Sequence, residues 1–256
     1  KVDYMDKVYI FDVDGTLTPS RLSMTEKFLE FFNDWSKRNI FHLVTGSDLD
    51  KTKQQVPDFI LQRAESIFTC CGNQMWKPDD DIIDTKAELI YDNKFEVPRK
   101  LKSLLGVFLI NSQYPHRYGN HIEDRGSMVN FSVIGRDCTQ EQREDYFKYD
   151  NEKGERRIMS IAIKEKFPDL DAVIGGQISI DIYPKGKDKS QILEHVKDDH
   201  AIPFLNQPQY IFIGDRTFEG GNDYPLAKLM GEKDNCSYHQ TEGPEQTIEI
   251  LEELNG

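Results

Sequence analysis

The chain has 256 residues, with 45 acidic against 32 basic side chains and a formal net charge of −13. That balance argues against nucleic acid or an anionic membrane surface as the main partner. With no apolar run near the roughly 20 residues that span a bilayer, and no basic-then-apolar opening, a cytoplasmic protein of one or two domains is expected.

Lys7 to Phe11 reads as a short apolar strand, followed by a turn at Asp14-Gly15-Thr16 and by Ser23 to Glu26, a capping box that predicts a helix start. Phe28, Phe31, Phe32 and Trp35 then recur at helical spacing, the stripe of a helix packed on a sheet. Phe41 to Val44 and Ile67 to Thr69 read as further buried strands, and strand-helix-strand order indicates parallel α/β packing. From about Asp84 the texture changes. Val97 to Leu109 and Ile158 to Phe167 look helical, while Met128 to Val133 and Gln177 to Ile182 alternate like antiparallel strands. The core pattern resumes with a helix over Lys189 to Val196, a buried strand over Tyr210 to Gly214 and a closing helix over Pro244 to Leu254. The expected architecture is an α/β core over 1–83 and 186–256 with an inserted α+β domain over 84–185.

The chemistry-bearing residues stand at strand ends. Asp12 and Asp14 follow an apolar strand, where parallel α/β sheets place their ligands. Two close carboxylates repel unless a cation lies between them, and hard oxygens suit Mg²⁺. One carboxylate can attack phosphorus while the other moves a proton. A calcium loop is the competing reading of DxDG, but the Glu it needs twelve residues along is replaced by Ser23.

Thr45-Gly46-Ser47-Asp48 ends the second strand with a hydroxyl and successive backbone N–H groups, a cradle for phosphate oxygens or an ordinary helix cap. Lys189 opens a helix where an ammonium could balance an aspartyl phosphate, with Lys185 and Lys187 close enough to compete for that role. Asp215 follows the late strand and fits a third metal ligand. Arg117, Arg125, Arg136 and Arg143 gather in an otherwise acidic chain, and guanidinium forks suit phosphate. The four cysteines include the adjacent Cys70 and Cys71 and show no CxxC spacing, so they read as reduced thiols; six scattered histidines give no zinc motif.

DVDGT, TGSD, the late lysine and GD…GGND occur in the order of the four signature motifs of the haloacid dehalogenase superfamily. The chain further resembles the eukaryotic-type phosphomannomutases, in Asp12 to Pro19 with Arg21, in Ile134-Gly135-Arg136-Asp137-Cys138, in Gly175 to Asp181 and in Gly220 to Asp223. The resemblance implies a Rossmannoid core with a large cap, and interconversion of mannose 6-phosphate and mannose 1-phosphate through a phosphorylated aspartate. It casts Asp12 as nucleophile, Asp14 as acid/base, and Asp12, Asp14 and Asp215 as Mg²⁺ ligands, with Lys189 and Thr45 beside them. Arg21, Ser47, Arg125, Arg136, Arg143, Ser179 and Asp181 are cast as sugar-phosphate contacts. A hexose 1,6-bisphosphate activator and a homodimer formed through the cap are implied as well. Thr45 stands where the family usually has glycine, a choice shared with sugar phosphatases, so a sugar-phosphate phosphatase is the alternative. A silent binding protein that keeps the fold is a third reading.

Overall fold

The computed structural model describes residues 7–78, 87–201 and 207–255. Strand β1 (Lys7–Phe11) is buried along nearly its whole length, as a central parallel strand must be. Helix α1 (Glu26–Trp35) packs Phe28, Phe32 and Trp35 against it, while Phe31 is only partly buried. Its N-cap is Thr25, whose side chain accepts from Phe28 N; the box expected at Ser23 does not form, because Ser23 Oγ donates to Gln54 O instead. Then follow β2 (Ile40–Val44), α2 (Leu49–Gln55), α3 (Asp58–Leu61), β3 (Ile67–Thr69), β4 (Gln74–Pro78) and β5 (Ala87–Asp92).

The middle of the chain forms α4 (Arg99–Asn111), β6 (Ile122–Asp124), β7 (Val129–Phe131), α5 (Gln140–Lys153), α6 (Glu155–Lys166), β8 (Leu170–Gly175) and β9 (Ser179–Pro184). A 3₁₀ turn over Lys189–Gln191 leads into α7 (Ile192–Asp199), followed by β10 (Gln209–Gly214), α8 (Tyr224–Gly231), β11 (Cys236–Gln240) and α9 (Pro244–Asn255). The helix expected from Lys189 therefore opens with a tighter turn. Among the described residues, no helix is long and apolar enough to cross a membrane.

Two sheets result. The larger runs β11-β10-β1-β2-β3-β4-β5, parallel from β11 to β3 and antiparallel at β4 and β5. The smaller is antiparallel, in the order β6-β7-β9-β8. Residue 84, where the sequence texture changes, lies outside the described residues. The expected boundary there needs correction, because β5 pairs with β4 and so belongs to the larger sheet. Its residues, none of them fully buried, are those of an edge strand, which sequence texture does not separate from an insertion.

On the smaller sheet, Val129, Phe131, Ile180 and Ile182 pack with Leu101, Leu105, Tyr146 and Ile163 of the covering helices. Strand alternation then turns Asn130, Ser179 and Asp181 the other way, toward the core. Met128, Val173 and Tyr183 on that side bury Cys70 and Cys71 of the core. The backbones also join: Ile174 N donates to Gly220 O at 2.7 Å and Asn222 N to Ile174 O at 3.0 Å. The cap thus lies closed on the carboxyl edge of the parallel sheet.

Candidate active site

Asp12, Thr45 and Asp215 directly follow β1, β2 and β10, neighbouring parallel strands, so chain direction alone brings them to one edge. Asp12 is 4% exposed. Lys189, fully buried, donates from Nζ to Asp12 Oδ1 and to Asp223 Oδ1, each at 2.7 Å. This selects Lys189 over Lys185 and Lys187. Burial opposes its ammonium, but Asp12 and Asp223 outweigh that and raise its pKa well above the ordinary value. Burial, reinforced by Asp223 against the pull of Lys189, raises the Asp12 carboxyl well above the carboxylate range. Burial, with Asp223 and Asp14 against Arg216, pushes Asp215 up to about 7. Such carboxyls lack positive charge, which is what a cation site provides before it is filled.

One carboxylate oxygen from each of Asp12, Asp215 and Asp223 lies within 4.8 Å of the others. Two of the three expected ligands, Asp12 and Asp215, belong to this cluster, and Asp223 joins them. The Asp14 carboxylate lines the same cavity, accepting from Arg21 N at 2.5 Å and Gln55 Nε2 at 2.8 Å. Asp223 is itself doubly engaged, since its Oδ2 accepts from Arg216 N at 2.9 Å. Gly15 holds φ +81°, and a Cβ there would stand 2.5 Å from Asp215 Oδ2. The hard oxygen donors and the tight turn fit a small divalent cation.

Thr45 and Ser47 are buried in the cavity wall, with Ser47 N donating to Thr45 Oγ1 at 3.1 Å. Asp48 caps α2 through Lys51 N at 2.9 Å. The cradle and the helix cap therefore coexist in consecutive residues. Arg21, Arg125, Arg136, Arg143, Ser179 and Asp181 line the same cavity as Asp12 and Asp215. Arg143, on α5, is buried. Arg125 Nη1 reaches Gly46 O, and Arg136 Nη1 reaches Asn130 Oδ1 and, at 3.2 Å, Ser179 Oγ. Asp181 accepts from Asn130 Nδ2 at 2.8 Å and from Asn222 Nδ2 at 3.1 Å, so it also ties cap to core. Arg117 is not among them: its guanidinium donates to the carbonyls of Leu109, Tyr114 and His116 and finishes the end of α4.

The cavity measures about 40 Å³, room for a few waters only. Burial, and then Arg125, Arg136 and Arg21, push the nearby Lys51 ammonium down to about 7. The arrangement therefore offers two stations for phosphate, one at Asp12 and the Thr45 loop, one among the arginines of the cap. The residues not singled out from the sequence are Asn130, Gln55, Lys51 and Glu123. Gln55 meets Asp14, Asn130 meets Asp181 and Lys51 meets Glu123 across 41 to 72 positions, contacts that no local spacing marks.

The eukaryotic phosphomannomutase family model matches residues 28–255. A phosphomannomutase of Encephalitozoon cuniculi is 37% identical over 226 residues, covering 86% of this chain and 83% of its own. One from Dendrobium officinale is 34% identical, covering 94% of this chain and 91% of its own. Among solved structures, a haloacid dehalogenase-like hydrolase from Bacteroides thetaiotaomicron superposes with a TM-score of 0.57 over 97% of this chain and 99% of its own, at 15% identity, a likeness of fold.

Proposed function

The chain belongs to the eukaryotic phosphomannomutase family, and from that premise we propose that it interconverts mannose 6-phosphate and mannose 1-phosphate through an aspartyl phosphate on Asp12. The observation that carries this reading is one cavity with Asp12 on its core wall and Arg125, Arg136 and Arg143 on its cap wall. A hexose bisphosphate can be gripped at one end while the other end reacts, and can turn round between two transfers.

In the first transfer the Asp12 carboxylate oxygen not held by Lys189 attacks phosphorus. The bond from phosphorus to the sugar oxygen breaks, and Asp14 gives that oxygen a proton. In the second transfer a sugar hydroxyl attacks the phosphorus on Asp12, Asp14 takes the hydroxyl proton, and the Asp12–phosphorus bond breaks. Arg21 N and Gln55 Nε2 hold the Asp14 carboxylate in place for both. Lys189 keeps charge balanced at Asp12, and Thr45 with the N–H groups of its loop receives the phosphoryl oxygens. Asp12 and Asp215 would hold Mg²⁺, with Asp223 fixing Lys189 beside them. When bound, Mg²⁺ neutralises charge growing on the transferring phosphoryl group. A hexose 1,6-bisphosphate would prime the cycle by phosphorylating Asp12.

The closed cap supports transfer to sugar over transfer to water, because closure excludes solvent from the phosphorylated aspartate. Thr45 in place of glycine favours the second reading, a sugar-phosphate phosphatase on the same residues. Exposed Ile110 on α4 and Ile158 on α6 support association of two copies through the cap, to be checked by sedimentation. Free cysteines support a reducing compartment such as the cytoplasm.

The deciding experiment incubates the protein with Mg²⁺, mannose 1-phosphate and a trace of glucose 1,6-bisphosphate. Mannose 6-phosphate with little free phosphate is expected; free phosphate alone would replace the mutase by the phosphatase.

A further inference from the structure

Glu123 of β6 lies outside the cavity, yet it binds two of the arginines that line it. Its Oε1 accepts from Arg125 Nε at 2.9 Å, and its Oε2 pairs with Arg136 Nε at 2.9 Å. Both arginines are nearly sealed, with side chains 3% and 6% exposed. Each uses Nε on Glu123 and Nη1 on an oxygen of the site wall, Gly46 O for Arg125 and Asn130 Oδ1 with Ser179 Oγ for Arg136, so both forks are fixed in place beside the cavity. A fork anchored from behind loses little freedom when an anion arrives.

A third cation meets the same carboxylate. Lys51 Nζ pairs with Glu123 Oε1, and Lys51 belongs to α2, the core helix that follows directly on the Thr45 to Asp48 loop. Glu123 belongs to the cap sheet. The pair therefore spans the two halves and exists only when the cap is down. One carboxylate faces three cations here, so the cluster keeps a positive surplus that a phosphate can neutralise.

We propose that Glu123 is a positioning residue that presents Arg125 and Arg136 to the distal phosphate, and that Lys51 makes this presentation depend on cap closure. The inference rests on the phosphotransfer reading given above. It assigns the two residues separable effects. Without Glu123 the forks lose their anchor and grip the distal phosphate poorly. Without Lys51 the forks stay anchored but the cap rests open more often, and water gains on sugar. In that side reaction water oxygen bonds to phosphorus, the Asp12–phosphorus bond breaks, and a water proton passes to Asp14.

The test uses full-length Lys51→Met, Lys51→Arg and Glu123→Gln proteins with Mg²⁺, mannose 1-phosphate and trace glucose 1,6-bisphosphate. Mannose 6-phosphate and free phosphate are followed together. Hydrolysis of p-nitrophenyl phosphate, which has no distal phosphate, reports the core chemistry alone. Lys51→Met is expected to raise the ratio of free phosphate to mannose 6-phosphate about tenfold, with Lys51→Arg restoring it. Glu123→Gln is expected to raise KM for mannose 1-phosphate about tenfold while p-nitrophenyl phosphate hydrolysis stays within about twofold. An unchanged product ratio in Lys51→Met, or a parallel fall of both activities in Glu123→Gln, would overturn the proposal. Wild-type protein forming no mannose 6-phosphate would overturn the parent reading instead, and the Glu123→Gln effect would then be read as KM for mannose 1-phosphate hydrolysis.

Discussion

Lys189 Nζ stands 2.7 Å from Asp12 Oδ1, joining residues 177 positions apart in a place where neither side chain meets solvent freely. The same ammonium holds Asp223, so one cation is shared by two buried carboxylates. Taking three charges out of water is costly, and only mutual pairing offsets it. The site is built at the expense of local stability.

Replacing Lys189 by Met leaves Asp12 and Asp223 buried without their cation. A loss of about 3–5 kcal/mol is expected, the range for breaking a buried pair from one side. Urea unfolding measures it, and a midpoint equal to wild type would mean that the two carboxylates take up protons at little cost.

Asp12→Asn keeps the shape of the side chain and an acceptor for Lys189 while removing the nucleophile. Mutase activity should fall by at least roughly a thousandfold with the fold retained, since losing a covalent nucleophile is among the largest single effects in catalysis. Near-native circular dichroism with residual turnover above that limit would displace Asp12 from the role.

The raised carboxyls give the metal-free protein a defined pH dependence. Asp215, at about 7, and Asp12, well above its ordinary range, both bind protons more tightly folded than unfolded. The unfolded chain then holds fewer protons than the folded one between about pH 4 and 7, so stability falls as pH rises through that window. Each group contributes at most about 1.4 kcal/mol per pH unit. In EDTA the melting temperature should be higher at pH 5 than at pH 7.5, and Mg²⁺ should stabilise more at the higher pH, because it competes with those protons. Equal Mg²⁺ stabilisation at the two pH values would remove Asp12 and Asp215 from the metal site.

How legible these features were in the sequence follows from the range of each interaction. Asp12, Thr45 and Asp215 could be read because each follows an apolar strand, and the position of a residue along its own strand is local information. Phe28, Phe32 and Trp35 were legible for the same reason, through helical period. Lys189 could be narrowed to three lysines but not chosen, since the choice depends on which ammonium meets Asp12 across 177 positions. Glu123 and Lys51 carried no signal in the sequence because their meeting is made by cap closure across 72 positions. The partners that hold the Asp14 carboxylate were hidden too, as Arg21 N and Gln55 Nε2 stand 7 and 41 positions from it. The edge strand β5 has only the short, largely exposed run Leu89 to Tyr91 to announce it, so the core was read as ending too early.

Gly15 tests the cation site without touching a ligand. Its φ of +81° suits glycine, and an added Cβ would meet Asp215 Oδ2 at 2.5 Å, closer than atoms tolerate. Gly15→Ala must therefore move either the DVDGT turn or the Asp215 carboxylate. Displacing a group that orients a metal ligand costs 10- to 100-fold in metal affinity as an order of magnitude. The Mg²⁺ concentration for half-maximal activity should rise by at least about tenfold, with activity recovered at saturating Mg²⁺. A variant with reduced activity but an unaltered Mg²⁺ requirement would separate Asp215 from the metal and leave it as a partner of Arg216 alone.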